Sequence, residues 1–344
     1  MKFPQEGYSA ELCQTLLHRF ASADYPVTVE RKGGGVHWNC SVGRGLICCQ
    51  VHCFSLPRDR GPQFYSIYKR GGEPVAYSRV SSMKDAIEAL ESWLSGEDLE
   101  SLYQQYPFVD QEKRALLGIA NQLKNLRPAL AEFANFELKC RHGDICNLRV
   151  EANERAIEVS FWGEKEFPDA KFSWDDCQLF QFPVNDEEKL AKITNQWLCD
   201  NAMPSALRAE HPLLDIGELA DYYERGAPIE GEFVLSWKSI IEFYESGEPR
   251  NARITAFLEM LCEAGFNRTL RAGQSMWTLV LSRSRRHGLR EDQPSIMIRF
   301  FDTSMRISYR PFSYDPGESI LNSPIEMTGE VETLLKKLER AEVD

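Results

Sequence analysis

Residues 37 to 53 read HWNCSVGRGLICCQVHC, a stretch that gathers His37, Cys40, Cys48, Cys49, His52 and Cys53. Imidazole nitrogens and thiolates are the ligands that zinc selects, four of them at about 2.0 to 2.3 Å in a tetrahedron. A thiol beside a histidine is also the pair from which cysteine nucleophiles are made. Drawn as a hairpin turning at Arg44 and Gly45, the stretch sets Cys40 opposite Cys49 and His37 opposite His52. His37, Cys40, Cys49 and His52 are therefore the candidate metal ligands. Two features weigh against a metal: there is no Cys-x-x-Cys knuckle, and the adjacent Cys48 and Cys49 point to opposite faces of a strand. Cys49 and Cys53 fall on the face of Ile47 and Val51, where a free thiol packs as a small hydrophobe. The expectation is a core strand with no metal and no other cofactor. A Cys/His-dependent metal or thiol enzyme stands as the last alternative.

A second set of residues suits the binding of anions. Residues 282 to 290 read SRSRRHGLR, and Arg283, Arg285, Arg286 and Arg290 from this stretch join Arg299, Arg306 and Arg310 on the strands that follow. With Trp277 they are the candidate partner-binding residues. Between residues 250 and 310 stand eleven arginines, no lysine and five acids. The planar guanidinium fork matches carboxylate or phosphate with two parallel hydrogen bonds. The chain as a whole, however, carries a net charge of −12 and a pI near 5.2, unlike the basic footprint of a nucleic-acid binder. A protein partner or a second copy of the chain is expected first, nucleic acid second, and no membrane partner at all.

Other constellations resolve into structure. The run Gly33, Gly34, Gly35 is flanked by Arg31-Lys32 and a strand, so it reads as a hairpin turn and not a phosphate cradle. Acid pairs such as Asp175 and Asp176 lie at turns and helix starts, where exposed amides stabilise anions.

The elements that must carry these residues recur along the chain. WLSGEDLESLYQQYPFVD at 93 to 110 and WLCDNAMPSALRAEHPLLD at 197 to 215 agree with one inserted residue. Upstream of each, and again near residue 254, a helical apolar pattern such as Ile254, Phe257, Leu258 and Leu261 leads into alternating strands. SMRISYRPF, for example, puts Met305, Ile307 and Tyr309 on one face and Arg306, Ser308 and Arg310 on the other. The reading is an α+β chain of three related modules, each a helix, about four antiparallel strands and a closing helix, with extra helices after the first two. The modules are residues 1 to 127, 128 to 247 (acidic, 24 acids against 11 bases) and 248 to 344 (arginine-bearing). Asp110 and Asp215, closing YPFVD and HPLLD, are expected to cap the helices that follow, in a joint packed on Phe108, Val109, Leu213 and Leu214.

A hydrophobic share of 43% marks a packed globular protein. The start MKFPQEGYSAELC lacks a basic-then-apolar leader, so the chain reads as soluble and cytoplasmic, with reduced thiols. No convergent catalytic set emerges from the motifs. The functional expectation is a non-enzymatic adaptor acting in a macromolecular complex; the alternative is a nucleic-acid-associated accessory subunit using the third module.

Overall fold

The structure is a computed structural model that describes the chain apart from residues 1–3, 23, 35–36, 56–60, 142–144, 162–166, 247–251, 286–288, 313–317 and 344. It contains three antiparallel sheets of five strands each, one strand more than the four expected. In every sheet, strands adjacent in sequence are neighbours in space, so all three are simple meanders built from hairpins.

The first sheet follows α1 (Pro4–Phe20) and runs β1 (Thr28–Gly34), β2 (His37–Arg44), β3 (Ile47–Ser55), β4 (Pro62–Arg70) and β5 (Glu73–Val80). Helix α2 (Met83–Ser95) follows it, started by the Ser82 hydroxyl, which accepts from the Asp85 amide, and stopped by Gly96 at φ 101°. Alternation along the strands sends Val42, Val51, Phe64, Tyr68 and Ala76 inward, against Leu12 and Leu16 of α1 and Leu90, Trp93 and Leu94 of α2. Burying each large side chain contributes roughly 1.5 to 3 kcal/mol, which is what holds helices and sheet together.

After the joint α3 (Leu99–Gln105), two helices lead into the second sheet, α4 (Gln111–Leu126) and α5 (Pro128–Phe133). The sheet is β6 (Asn135–Arg141), β7 (Ile145–Ala152), β8 (Arg155–Ser160), β9 (Asp169–Trp174) and β10 (Cys177–Pro183), followed by α6 (Glu187–Leu198). Helix α4 packs on β6, β7 and α6, so the helix after the first joint serves the second sheet. The third sheet repeats that plan. Helices α7 (Pro204–Glu210), α8 (Glu218–Glu224), α9 (Pro228–Glu245) and α10 (Ala252–Glu263) precede β11 (Arg271–Ser275), β12 (Thr278–Ser282), β13 (Ser295–Phe300), β14 (Ser304–Arg310) and β15 (Glu318–Pro324), and α11 (Gly329–Glu339) follows. Trp237, Ile240 and Tyr244 of α9 belong to the core beneath this sheet. The second and third sheets are thus each entered by more than one helix, and α4, expected as an extension of the first module, packs on the second sheet. The chain divides into two compact units, Met1–Ala202 and Met203–Asp344. Among the described residues no helix is long and apolar enough to cross a membrane.

The YPFVD joint does something other than cap a helix. Asp110 precedes α4 with φ 50°, in the left-handed region, and its side chain makes no bond to the helix amides. That backbone turn aims the carboxylate back at the first sheet. Oδ1 accepts the Tyr77 backbone N–H at 2.9 Å and Oδ2 accepts the Tyr103 hydroxyl at 2.7 Å. The Asp110 amide in turn donates to the Tyr77 carbonyl, and Val109 bridges Ser78. The joint therefore adds a short rung to the free edge of β5, one of the ways sheets protect an edge. Burial, and then the hydrogen bond to Asp110, push the Tyr103 phenol upward, keeping it a donor. The HPLLD copy follows the same path as far as its turn but departs at the aspartate. Helix α8 starts on Gly217 and not Asp215, and Leu213 is 90% exposed where Phe108 packs on the core. Asp110→Ala takes the acceptor from the half-buried Tyr77 amide and Tyr103 hydroxyl. A loss of about 2 to 3 kcal/mol is expected in urea unfolding, with faster hydrogen exchange at the Tyr77 amide, whereas Asp215→Ala is expected to change neither.

Candidate functional site

The cysteine–histidine stretch forms the β2–β3 hairpin, with its turn at Gly45 and Leu46, one residue later than expected. Each residue therefore faces a partner two positions from the expected one. Cys40 lies opposite Val51, Cys49 opposite Val42, and His52 opposite Asn39, so neither Cys40 with Cys49 nor His37 with His52 forms a pair. Cys40, Cys49 and Cys53 are buried on the core face with Val42 and Val51, while His52 lies half-buried on the other face. Among the described residues no group of three or more His, Cys, Asp or Glu could hold a metal ion. Burial is the first cause that pushes the Cys40 and Cys49 thiols well up and the Cys53 thiol to about 12, so thiolate is suppressed.

One pair of thiols is oxidised, which corrects the expectation of reduced cysteines throughout. Cys140 and Cys146 form a disulfide between directly opposed residues of β6 and β7, with Cα atoms 4.1 Å apart. Directly opposed residues of neighbouring antiparallel strands carry their side chains on the same face, within reach of a disulfide.

The arginine stretch is mostly structural. Arg283 donates from Nη1 to the Glu339 carbonyl at the end of α11. Arg285 makes a two-pronged ion pair with Glu232 of α9, Nη2 to Oε1 at 2.9 Å and Nε to Oε2 at 3.3 Å, the side chains only 17% and 3% exposed. Tyr223 donates its hydroxyl to the same carboxylate, and Arg271 donates to the Arg285 carbonyl. Arg283 and Arg285, both half-buried, are thus engaged within the fold. Arg290 pairs at the surface with Asp292 at 3.3 Å. Arg286 lies outside the described residues.

Arg283 belongs to a recurring device. In the first sheet Arg44 donates to the Leu94 and Ser95 carbonyls at the end of α2; in the second, Arg155 donates to the Trp197 carbonyl at the end of α6 and to Ala202. Each helix that follows a sheet therefore has carbonyls at or just beyond its C-terminus satisfied by a guanidinium at a strand end or, for Arg283, one residue past it, where the helix dipole also favours a cation. The tryptophans of the two Trp-Leu copies complete the joint. Trp93 and Trp197 are fully buried, and their indole N–H groups donate to the Cys48 and Ser173 carbonyls. Neither arginine nor acceptor could be paired from the sequence, although the repeated Trp-Leu signalled that something was shared.

What remains open lies on the outward face of the third sheet. Arg299 and Arg306 stand directly opposite each other on β13 and β14, both exposed. Their neighbours in the same row are Thr278 and Asn322, and the Asn322 amide oxygen accepts from Arg306 at 3.4 Å. Phe301, 44% exposed, lies 5.7 and 5.8 Å from the two guanidinium carbons. Among the described residues no carboxylate pairs with either arginine. Arg310, half-buried, is two rungs away opposite Ser295. Trp277, 73% exposed, sits at the β11–β12 turn at the Arg299 end of the sheet, but leans to the helix side against Phe243, ring centres 6.2 Å apart. The structure thus brings Arg299 and Arg306 together, sets Trp277 round the corner, and adds Phe301 and Asn322, which the sequence pattern did not single out. Phe301 ends the run PSIMIRFF, where alternation past Arg299 places it on the arginine side.

No family model matches the chain, and neither does any curated protein or any solved structure.

Proposed function

We propose that this chain is a binding protein, an adaptor with no catalytic task of its own, whose third sheet takes an acidic segment of a protein partner. The observation that carries the proposal is the Arg299–Arg306 pair. Like charges directly opposite each other on a sheet destabilise it by a few tenths to about 1 kcal/mol, a cost that a bound carboxylate removes. Two guanidinium groups side by side suit the two oxygens of such a group. Phe301 beside them, with Trp277 and Met276 at the sheet's end, adds the aromatic and thioether surface in which protein interfaces are enriched. The burial that keeps Cys40, Cys49 and Cys53 protonated weighs against these three as nucleophiles of a thiol enzyme.

The test compares the parent protein with Arg299→Glu/Arg306→Glu, an exposed double change that leaves the core intact. A fluorescein-labelled peptide rich in Asp, Glu and Phe is followed by anisotropy. Removing a pair of arginine anchors is expected to weaken binding about 30-fold or more, and about 0.5 M salt to abolish it. Equal affinity for both proteins overturns the proposal, and preferential binding of an oligonucleotide at these arginines reassigns the face to nucleic acid.

A further inference from the structure

The three sheets share one topology, so what differs between their outward faces is not required by the fold. The second sheet's face carries a ladder of charges: Arg149 lies opposite Glu158, Glu158 opposite Lys171, and Arg149 also pairs with Glu151 and Asp176. The third carries the arginine pair. The first carries rings. Phe54, His52, Tyr65 and Tyr77 form a continuous line across β3, β4 and β5, with successive ring centres 6.3, 6.1 and 6.2 Å apart. All lie on the face turned away from the buried Cys49, Val51, Phe64 and Tyr68, and all are half-buried or exposed.

The register places cations at both ends of this line. One row crosses all five strands as Lys32, Asn39, His52, Tyr65 and Arg79, with Lys32 on the edge strand β1 and Arg79 on β5, both exposed. Lys69 shares the face one strand position beyond Ile67, and Glu30 beside Lys32 pairs with it at 2.6 Å. Aromatic pairs across strands stabilise a sheet. That alone does not account for four rings in line here and, among the described residues, for none in line on the other two outward faces, nor for the flanking cations.

We infer that the outward face of the first sheet binds single-stranded nucleic acid, with two or three unpaired bases stacked on His52, Tyr65 and Tyr77 and the phosphates drawn to Lys32, Lys69 and Arg79. Stacking on aromatic side chains accepts every base, because every base has a π face. A five-stranded sheet is wide enough to hold bases splayed side by side, as sheet platforms for RNA do. A base-paired duplex cannot offer those faces. The strongly acidic remainder of the chain opposes non-specific attraction to phosphates, so binding rests on stacking, with few phosphate contacts. The site is independent of the arginine pair on the third sheet.

The test is fluorescence anisotropy with a labelled oligothymidylate and its duplex form, at about 50 mM salt. Single strand is expected to bind, duplex not, and three phosphate contacts give a salt slope of about −2 in log–log form. Tyr65→Ala with His52→Ala is expected to weaken binding by about 10- to 100-fold, while Tyr65→Phe, which keeps the ring, retains it. Arg79→Glu and Lys32→Glu, both on the exposed surface, weaken it without touching the core. Arg299→Glu/Arg306→Glu binds the oligonucleotide like the parent, which separates this site from the one on the third sheet. The inference is overturned by the absence of binding up to about 100 µM protein, by equal affinity for duplex, by affinity unchanged in the ring and charge variants, or by protection of Tyr65 and Tyr77 by a peptide and not by the oligonucleotide.

Discussion

Replacing Glu232 with alanine is expected to destabilise the second unit by about 3 to 5 kcal/mol, a large part of the stability of any domain of its size. Glu232 is buried on α9 and receives two donors from Arg285 and one from Tyr223. Removing it takes the shared carboxylate acceptor from a guanidinium only 17% exposed and from the buried Tyr223 phenol. The sign of the paired change differs. Glu232→Leu with Arg285→Met removes both charges together and replaces them with apolar volume, and is expected to restore most of the loss, because burying two ions costs nearly what their attraction returns. Urea unfolding followed at Trp237 and Trp277 checks both. A double variant as unstable as the single one would show that the network's geometry, and not the stranded charge, sets the cost. Gly231 next to it is constrained for another reason: a Cβ there would lie 2.4 Å from the Tyr222 side chain of α8.

Arg155→Ala is expected to destabilise the first unit by about 3 to 4 kcal/mol, through a route without a carboxylate. The guanidinium is buried between Trp174 and Trp197, its carbon 4.2 Å from each ring centre, and Nη1 donates to Trp197 at 3.1 Å and Ala202 at 2.8 Å. Burial pushes its pKa down to about 10, so it stays charged at neutral pH, held by rings and carbonyl dipoles. Arg155→Met keeps the packed stem and loses the donors, so it is expected to fall about midway between parent and alanine variant. Arg155→Lys keeps the charge but presents a point donor in place of a planar fork, and is expected to lose about as much as Met. Tryptophan fluorescence during urea unfolding reports on the site directly.

The periodicity of the sequence contained most of the helices and antiparallel strands and their recurrence, though not a fifth strand in each sheet, because burial of one face imposes a period on residue choice wherever it occurs. It contained the faces too. The error at the β2–β3 turn displaced every partner by two residues, and an even displacement leaves each side chain on its own side; hence Cys49 and Cys53 were placed on the core face while their partners were misassigned. The glycines at 43 and 45 fit either turn, so nothing local chose between them. Asp110 misled for a related reason. Its residue type suits an N-cap, but a left-handed backbone, which aspartate tolerates, turned it toward Tyr77 and Tyr103. Arginines were legible as a class but not by task, since Arg283 and Arg285 differ from Arg299 and Arg306 only in what the fold brings against them.

The guanidinium ties at the ends of α2, α6 and α11 also bear on how the chain reaches its structure. Arg44 is tied to residues 50 and 51 positions ahead, Arg155 to residues 42 and 47 ahead, and Arg283 to one 56 ahead. Loops of such similar length differ in closure entropy by only about 0.3 kcal/mol. None overlaps the next: the first tie is complete at Ser95, before Arg155 exists, and the second at Ala202, before Arg283 exists. A chain made from its N-terminus can thus fasten each sheet to its helix as soon as some fifty residues beyond its arginine have emerged, without waiting for the rest. Synthesis then proceeds as three short closures in series, in place of one long search.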